Sequence, residues 1–120
     1  MKTFKIAPSV LSADYANFET ELKKLEASGA EYAHLDVMDG HFVPNISFGA
    51  GVVASMRPHS KIVFDCHLMV SNPEHHIEEF ARAGADIISI HVEATPDIHG
   101  ALQKIRAAGV KPSVVINPGT

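Results

Sequence analysis

His34 and Asp36 stand two positions apart in the apolar stretch AHLDVMDGHFVPN, Ala33 to Asn45, and His67 stands in a second such run, VFDCHLMV. Successive side chains of a strand alternate between faces, so His34, Asp36 and Met38 share one side while Leu35 and Val37 share the other. The same count groups Asp65, His67 and Met69. Two imidazoles and a carboxylate converging from neighbouring strands offer neutral nitrogen and anionic oxygen, a donor set suited to one divalent metal ion such as zinc, iron, manganese or cobalt. A carboxylate in an apolar run also needs a cation or several donors to offset its burial. One strand histidine alone is more often structural than a ligand; it is the matched parity of two, around an aspartate, that favours a metal.

Other polar residues carry weaker signals. Ser9, in APSVLSAD, lies where a first strand ends and could bond a ligand, although a serine there more often belongs to the turn leading into a helix. Met38 and Met69 fall on the proposed site face, yet methionines in strands ordinarily fill cores. His91 and Glu93, in SIHVEAT, share a face and could orient a ligand from behind or close a loop. His75 and His76 are adjacent on a helical pattern, point in different directions and are expected in solvent. Asp39-Gly40 carries turn chemistry. Cys66 is opposite in parity to His67, which fits a buried spectator thiol, and no glycine-rich phosphate fingerprint of Rossmann or P-loop type occurs.

The elements that must position these residues repeat along the chain. Short apolar runs begin near residues 4, 32, 61, 86 and 111, with helical patterns between them; Phe18, Leu22 and Leu25 share one helix face, and Ile98, Leu102 and Ile105 another. Asn72-Pro73 and Thr95-Pro96 offer a capping side chain followed by proline at the first helical position, and Gly29, Gly84 and Gly109 sit where helices should stop. Strands alternating with helices imply a parallel α/β sheet, because a parallel neighbour needs a crossover of about a dozen residues or more. The sheet is either doubly wound or part of a barrel. A closed (β/α)8 barrel takes about 250 residues, whereas residues 1–120 supply about five strands and four helices of a single domain.

Composition narrows the partner. The chain is 46% hydrophobic and 20% charged with a formal net charge of -4, as in ordinary globular domains. No run of lysine and arginine provides a footprint for nucleic acid or an anionic membrane, so a small molecule is the expected partner. Cys66 is the single cysteine and cannot form an intrachain disulfide; the first residues, MKTFKIAPSVLSAD, do not read as a signal peptide. A cytoplasmic location is the expectation. No apolar stretch approaches the roughly 20 residues of a membrane-spanning helix.

In order, IAPSVLSAD, HLDVMDGHFVPN, DCHLMV, NPE, HVEA and VVINPGT resemble the first half of the ribulose-phosphate 3-epimerase family, and the resemblance runs the length of the chain. It implies the N-terminal part of a TIM (β/α)8 barrel, one bound divalent metal ion, and interconversion of D-ribulose 5-phosphate with D-xylulose 5-phosphate through an enediolate. On that resemblance His34, Asp36 and His67 are metal ligands, Asp36 is also one of two acid/base aspartates, Ser9 and His67 contact substrate, and Met38 and Met69 wall the enediolate. A homo-oligomer is expected of the complete enzyme. The second aspartate and the phosphate-binding loops would come from later strands, so the 120 residues alone are expected to turn over little or no substrate. Two alternatives remain open: an epimerase of a related ketohexose 6-phosphate such as allulose 6-phosphate, and a non-catalytic metal-binding half-barrel that self-associates.

Overall fold

The computed structural model describes residues 3–120. Four parallel strands, β1 (Tyr32–Met38), β2 (Val63–Met69), β3 (Ile87–His91) and β4 (Lys111–Val115), form one sheet in the order β1-β2-β3-β4. Four helices accompany them: α1 (Phe18–Ala27), α2 (Ala50–Met56), α3 (Ile77–Ala83) and α4 (Ile98–Ala107). The strand order never reverses, unlike that of a doubly wound sheet, and successive right-handed crossovers then place every helix on one side. This is the arrangement of the N-terminal half of a TIM barrel.

Burial follows strand parity. Ala33, Leu35 and Val37 of β1, Phe64, Cys66 and Leu68 of β2, and Ile88 and Ile90 of β3 are buried in one core with Leu22 of α1, Val53 of α2, Phe80 of α3 and Ile105 of α4. Complete burial of each of the larger side chains contributes about 2 kcal/mol, which makes this face the main source of stability. The opposite face carries the polar residues. His34, Asp36, Asp65 and His67 are each only partly buried there, because no helix of the described residues covers that side.

The first apolar run forms a single bridge instead of the expected fifth strand, Ser9 opposite His34. His34 N–H donates to the Pro8 carbonyl at 2.9 Å and Val10 N–H donates to the His34 carbonyl at 3.0 Å. One rung earlier, Tyr32 N–H reaches the Ile6 carbonyl at 3.2 Å, but the return bond would have to come from residue 8, and proline has no N–H. The segment therefore lies along β1 without completing a ladder.

Helix stops occur where glycine spacing places them, with positive φ at Gly29, Gly84 and Gly109. Two starts differ from expectation. Asn72-Pro73 opens a 3-10 turn (Pro73–His75), Asn72 adopting φ 51° with no side-chain cap bond. At α4 the cap is Asp97, which accepts from Gly100 N–H at 3.0 Å, while Thr95 instead accepts from Asp97 N–H. A carboxylate at that position satisfies an orphan amide and faces the positive end of the helix dipole.

Beneath the amino ends of the strands, Arg57 ties two connections together, those leading into β2 and β3. Its guanidinium donates to the carbonyls of Ser60 at 2.7 Å, Ile62 at 2.6 Å and Gly84 at 3.1 Å, and to the Asp86 carboxylate at 2.9 Å. It also lies 3.7 Å from the centroid of the Phe64 ring. Gly84, at φ 112°, must stay small, since a Cβ there would fall 2.3 Å from Arg57 Cδ.

Candidate metal centre

The strand pairing that buries the apolar face fixes the polar one. In the β1–β2 register His34 opposes Asp65, Asp36 opposes His67, and Met38 opposes Met69. Three donor atoms converge from the first two pairs: His34 Nε2 to Asp36 Oδ1 is 3.2 Å, His67 Nδ1 to Asp36 Oδ1 is 3.2 Å, and His34 Nε2 to His67 Nδ1 is 3.4 Å. Metal–ligand bonds of about 2.0–2.2 Å to nitrogen and oxygen require neighbouring ligand atoms roughly 3.0–3.5 Å apart, so this triangle has the dimensions of one face of a coordination polyhedron. Among the described residues it is the one His/Cys/Asp/Glu group so arranged.

The ligand atoms are held from behind. His34 Nδ1 lies 2.8 Å from Asp65 Oδ2; a carboxylate only accepts, so Nδ1 carries the proton and Nε2 faces the triangle. Asp36 Oδ2 accepts from the Ser9 hydroxyl, which itself accepts from Leu11 N–H at 3.1 Å. His67 Nε2 lies 2.8 Å from His91 Nε2, and His91 Nδ1 lies 3.1 Å from Glu93 Oε1. The backbone beside the site is fixed as well: Ser47 donates to the Asp36 carbonyl at 2.6 Å and accepts from Met38 N–H at 3.0 Å.

Proximity sets the protonation of the group. The Asp36 and Asp65 carboxylates raise the His34 imidazole to about 10 against the opposing effect of burial. Burial pushes Asp36 up, but hydrogen bonds from His34, His67 and Ser9 outweigh it and hold the carboxyl well below its ordinary range. A cation would replace the proton shared in this triangle, and the donor set therefore fits a divalent metal. Burial pushes the Cys66 thiol up to about 12, consistent with a packed spectator that is completely enclosed.

The remaining carboxylates of this face are engaged. Asp39 Oδ1 accepts from His41 and Phe42 N–H at 2.9 and 2.8 Å, and Oδ2 accepts from Ser71 N–H at 2.8 Å, which joins the loops after β1 and β2. Glu93 Oε2 accepts from the Thr120 hydroxyl and from Asn117 N–H at 2.7 Å, bonds that lower its carboxyl to about 2.

Most residues singled out from the sequence meet here. Ser9, His34 and His67 all contact Asp36, and Met38 and Met69 lie together one step further along the same strands. His91 and Glu93 lie behind His67, while His76 pairs with Glu79 on the helix surface. Sequence reasoning gave no role to Asp65, Ser47 or Phe42, whose ring centroid is 5.1 Å from that of His91. Asp65 had a signal, namely its shared parity with His67; Ser47 and Phe42 had none.

The model of the Ribulose-phosphate 3 epimerase family matches residues 5–120. Over 119 residues, 99% of the chain, the sequence is 56% identical to the ribulose-phosphate 3-epimerase of Rhodobacter capsulatus, covering 52% of that protein. The Bacillus subtilis ribulose-phosphate 3-epimerase is 51% identical over 116 residues, with 54% of it covered, and the cytoplasmic isoform of Oryza sativa is 48% identical over 117 residues, with 51% covered. The chain spans about half the length of these relatives.

Proposed function

Because this chain belongs to the ribulose-phosphate 3-epimerase family, we propose that residues 1–120 form the N-terminal half of one barrel domain and supply the metal-binding half of an epimerase site interconverting D-ribulose 5-phosphate and D-xylulose 5-phosphate. The observation that carries this reading is the triangle of His34 Nε2, Asp36 Oδ1 and His67 Nδ1. His34, Asp36 and His67 would hold one divalent cation, zinc, iron, manganese or cobalt. Bound there, the cation supplies Lewis-acid stabilisation of negative charge on substrate oxygens.

Inverting a carbon beside a ketone requires removing its proton from one face and returning a proton on the other. Asp36 is the base of this pair: its low proton affinity keeps it ionised, and Oδ2 projects from the ligand triangle toward the Ser9 hydroxyl. Ser9 is exposed at the site's rim, placed to exchange its bond to Asp36 for one to a substrate hydroxyl. His67 stays on the same side of the substrate as Asp36. Met38 and Met69, beyond the ligands, line the wall beside the planar intermediate; their thioethers present no acidic proton to it. A second acid/base group must come from outside the described residues, since Asp39, Asp65 and Glu93 are committed.

The test is epimerisation by the protein at the length its natural source makes it, stripped of metal and reloaded with zinc, iron, manganese or cobalt. Turnover of D-ribulose 5-phosphate that vanishes on stripping, returns on loading and exceeds turnover of allulose 6-phosphate is the expected result. Metal-independent turnover, or a preference for the hexulose, would overturn the assignment.

A further inference from the structure

We propose that Glu93, acting through His91, is a positioning residue that fixes the proton of His67 on Nε2 and so leaves His67 Nδ1 free for the cation. This deepens the reading of His34, Asp36 and His67 as the ligand set and rests on it.

Glu93 Oε1 can only accept, so the 3.1 Å contact with His91 Nδ1 requires a proton on that nitrogen. A neutral His91 then has a bare Nε2, and the 2.8 Å contact between His91 Nε2 and His67 Nε2 requires the proton to sit on His67. That makes His67 Nδ1, 3.2 Å from Asp36 Oδ1 in the ligand triangle, the nitrogen whose proton shared with Asp36 a cation replaces. The ring centroids of His67 and His91 are 4.9 Å apart with planes 24° from parallel. That separation is close to the nitrogen–nitrogen gap plus two ring radii, so the nitrogens point at one another within the ring planes, as a hydrogen bond requires. His91 is only 4% exposed, so no bulk water competes for its nitrogens.

Glu93 is held from its far side. Its Oε2 accepts from Asn117 N–H and from the Thr120 hydroxyl in the segment after β4. The two ligand histidines are therefore set by different routes: Asp65 acts on His34 directly, and Glu93 acts on His67 through one intervening ring. Partners behind a metal-binding histidine generally fix its tautomer and are worth 10–100-fold in affinity.

The two routes respond differently to the same chemical change. In Glu93→Gln the amide oxygen must stay with Asn117 N–H, which turns the amide NH2 toward His91 Nδ1. His91 then carries its proton on Nε2, donates to His67 Nε2, and drives the His67 proton onto the metal-facing Nδ1. In Asp65→Asn the side chain keeps its oxygen toward His34 Nδ1, because its other partner, the Ser89 hydroxyl at 3.4 Å, either donates or accepts.

The experiment uses the natural-length protein, Co2+ as probe, and nitrogen-15 correlation spectra of the histidine rings. In the metal-free wild type His91 is expected to be protonated on Nδ1 alone, and in Glu93→Gln on Nε2 alone. Co2+ affinity is expected to fall about 10–100-fold in Glu93→Gln and less than about threefold in Asp65→Asn. A proton on His91 Nε2 in the wild type overturns the proposal, as does a Glu93→Gln protein that loses affinity with its His91 tautomer unchanged or keeps affinity within about twofold. If Glu93→Gln does not fold, the wild-type spectrum decides. Failure of the wild type to bind Co2+ sinks the ligand assignment instead, and the metal-free His91 spectrum still reads the relay.

Discussion

At the scale of single residues, substitution can separate the two duties proposed for Asp36. Asparagine keeps a carbonyl oxygen for a cation but cannot take a proton, so Asp36→Asn in the natural-length protein should lower kcat by about 10²–10⁴-fold, the usual worth of a positioned base. A loss of less than about tenfold in a steady-state epimerase assay would move the base elsewhere. His34 and Asp36 also impose a pH dependence on the metal-free protein. His34 is raised from an ordinary 6.5 to about 10, so its contribution to stability is complete below pH 6.5 and is lost as pH rises through about 10. Asp36 is lowered from an ordinary 3.8, so its contribution is present above that value and is lost as pH falls below it. Urea midpoints of the metal-free protein should therefore be higher near pH 5–6 than near pH 9, and this difference should disappear in His34→Gln. An equal dependence in wild type and variant would show that His34 is not held by these carboxylates.

Among the elements, the clamp beneath the sheet is as specific as the site above it. Arg57 satisfies three carbonyls and a carboxylate from the turns that start β2 and β3. Arg57→Met preserves much of the stem's packing on Phe64 but strands acceptors that are partly shielded from water. It should cost about 2–4 kcal/mol, measured by urea denaturation, with the m-value unchanged. Less than about 1 kcal/mol would mean that water replaces the guanidinium without loss. The clamp acts at the amino ends of the strands, so ligand distances at their carboxyl ends should be preserved, and Co2+ affinity in the folded variant should remain that of the wild type. The stabilising clamp and the candidate site thus lie at opposite ends of one sheet, as such features do in barrels generally.

For the whole molecule, the chief fact is a sheet with one covered face and one open face. Helices cover the side of Leu35, Cys66 and Ile88, while among the described residues none covers the side of His34, Asp36 and His67. Both sheet margins carry exposed apolar side chains: Ile6 is 47% exposed beside β1, and Val114 and Ile116 are 48% and 61% exposed in and just after β4. Unpaired apolar strand edges recruit other strands. Produced by itself, the 120-residue chain should associate with itself in light scattering, and Ile116→Lys should reduce that association. A stable monomer at micromolar concentration would show that these margins are tolerated. The same isolated chain should show no epimerase turnover above background, because no carboxylate on the described open face remains for the second proton transfer; turnover by the purified chain would identify one.

What was legible in the sequence was local. The alternation of HLDVM and FDCHLM put His34, Asp36 and His67 on one face because strand periodicity is a property of consecutive residues. The glycines at 29, 84 and 109 marked helix ends because positive φ is a local requirement. The motif resemblance supplied the family and the roles proposed for these residues, which periodicity alone left open. Relations across the sheet needed the tertiary structure. Which atoms of His34, Asp36 and His67 meet depends on a register joining residues 31 positions apart. The placement of Asp65 beside His34 follows from the same pairing and that of His91 and Glu93 behind His67 from the packing of β3 beside β2, and the loss of a first strand at Pro8 depends on which carbonyl its absent N–H would have met. The sequence by itself determined the faces, the helix stops and the donor types, because these depend on neighbours along the chain. Only the tertiary structure decided the ligand atoms and their hydrogen-bonded supports, because those depend on which strands align and at what offset.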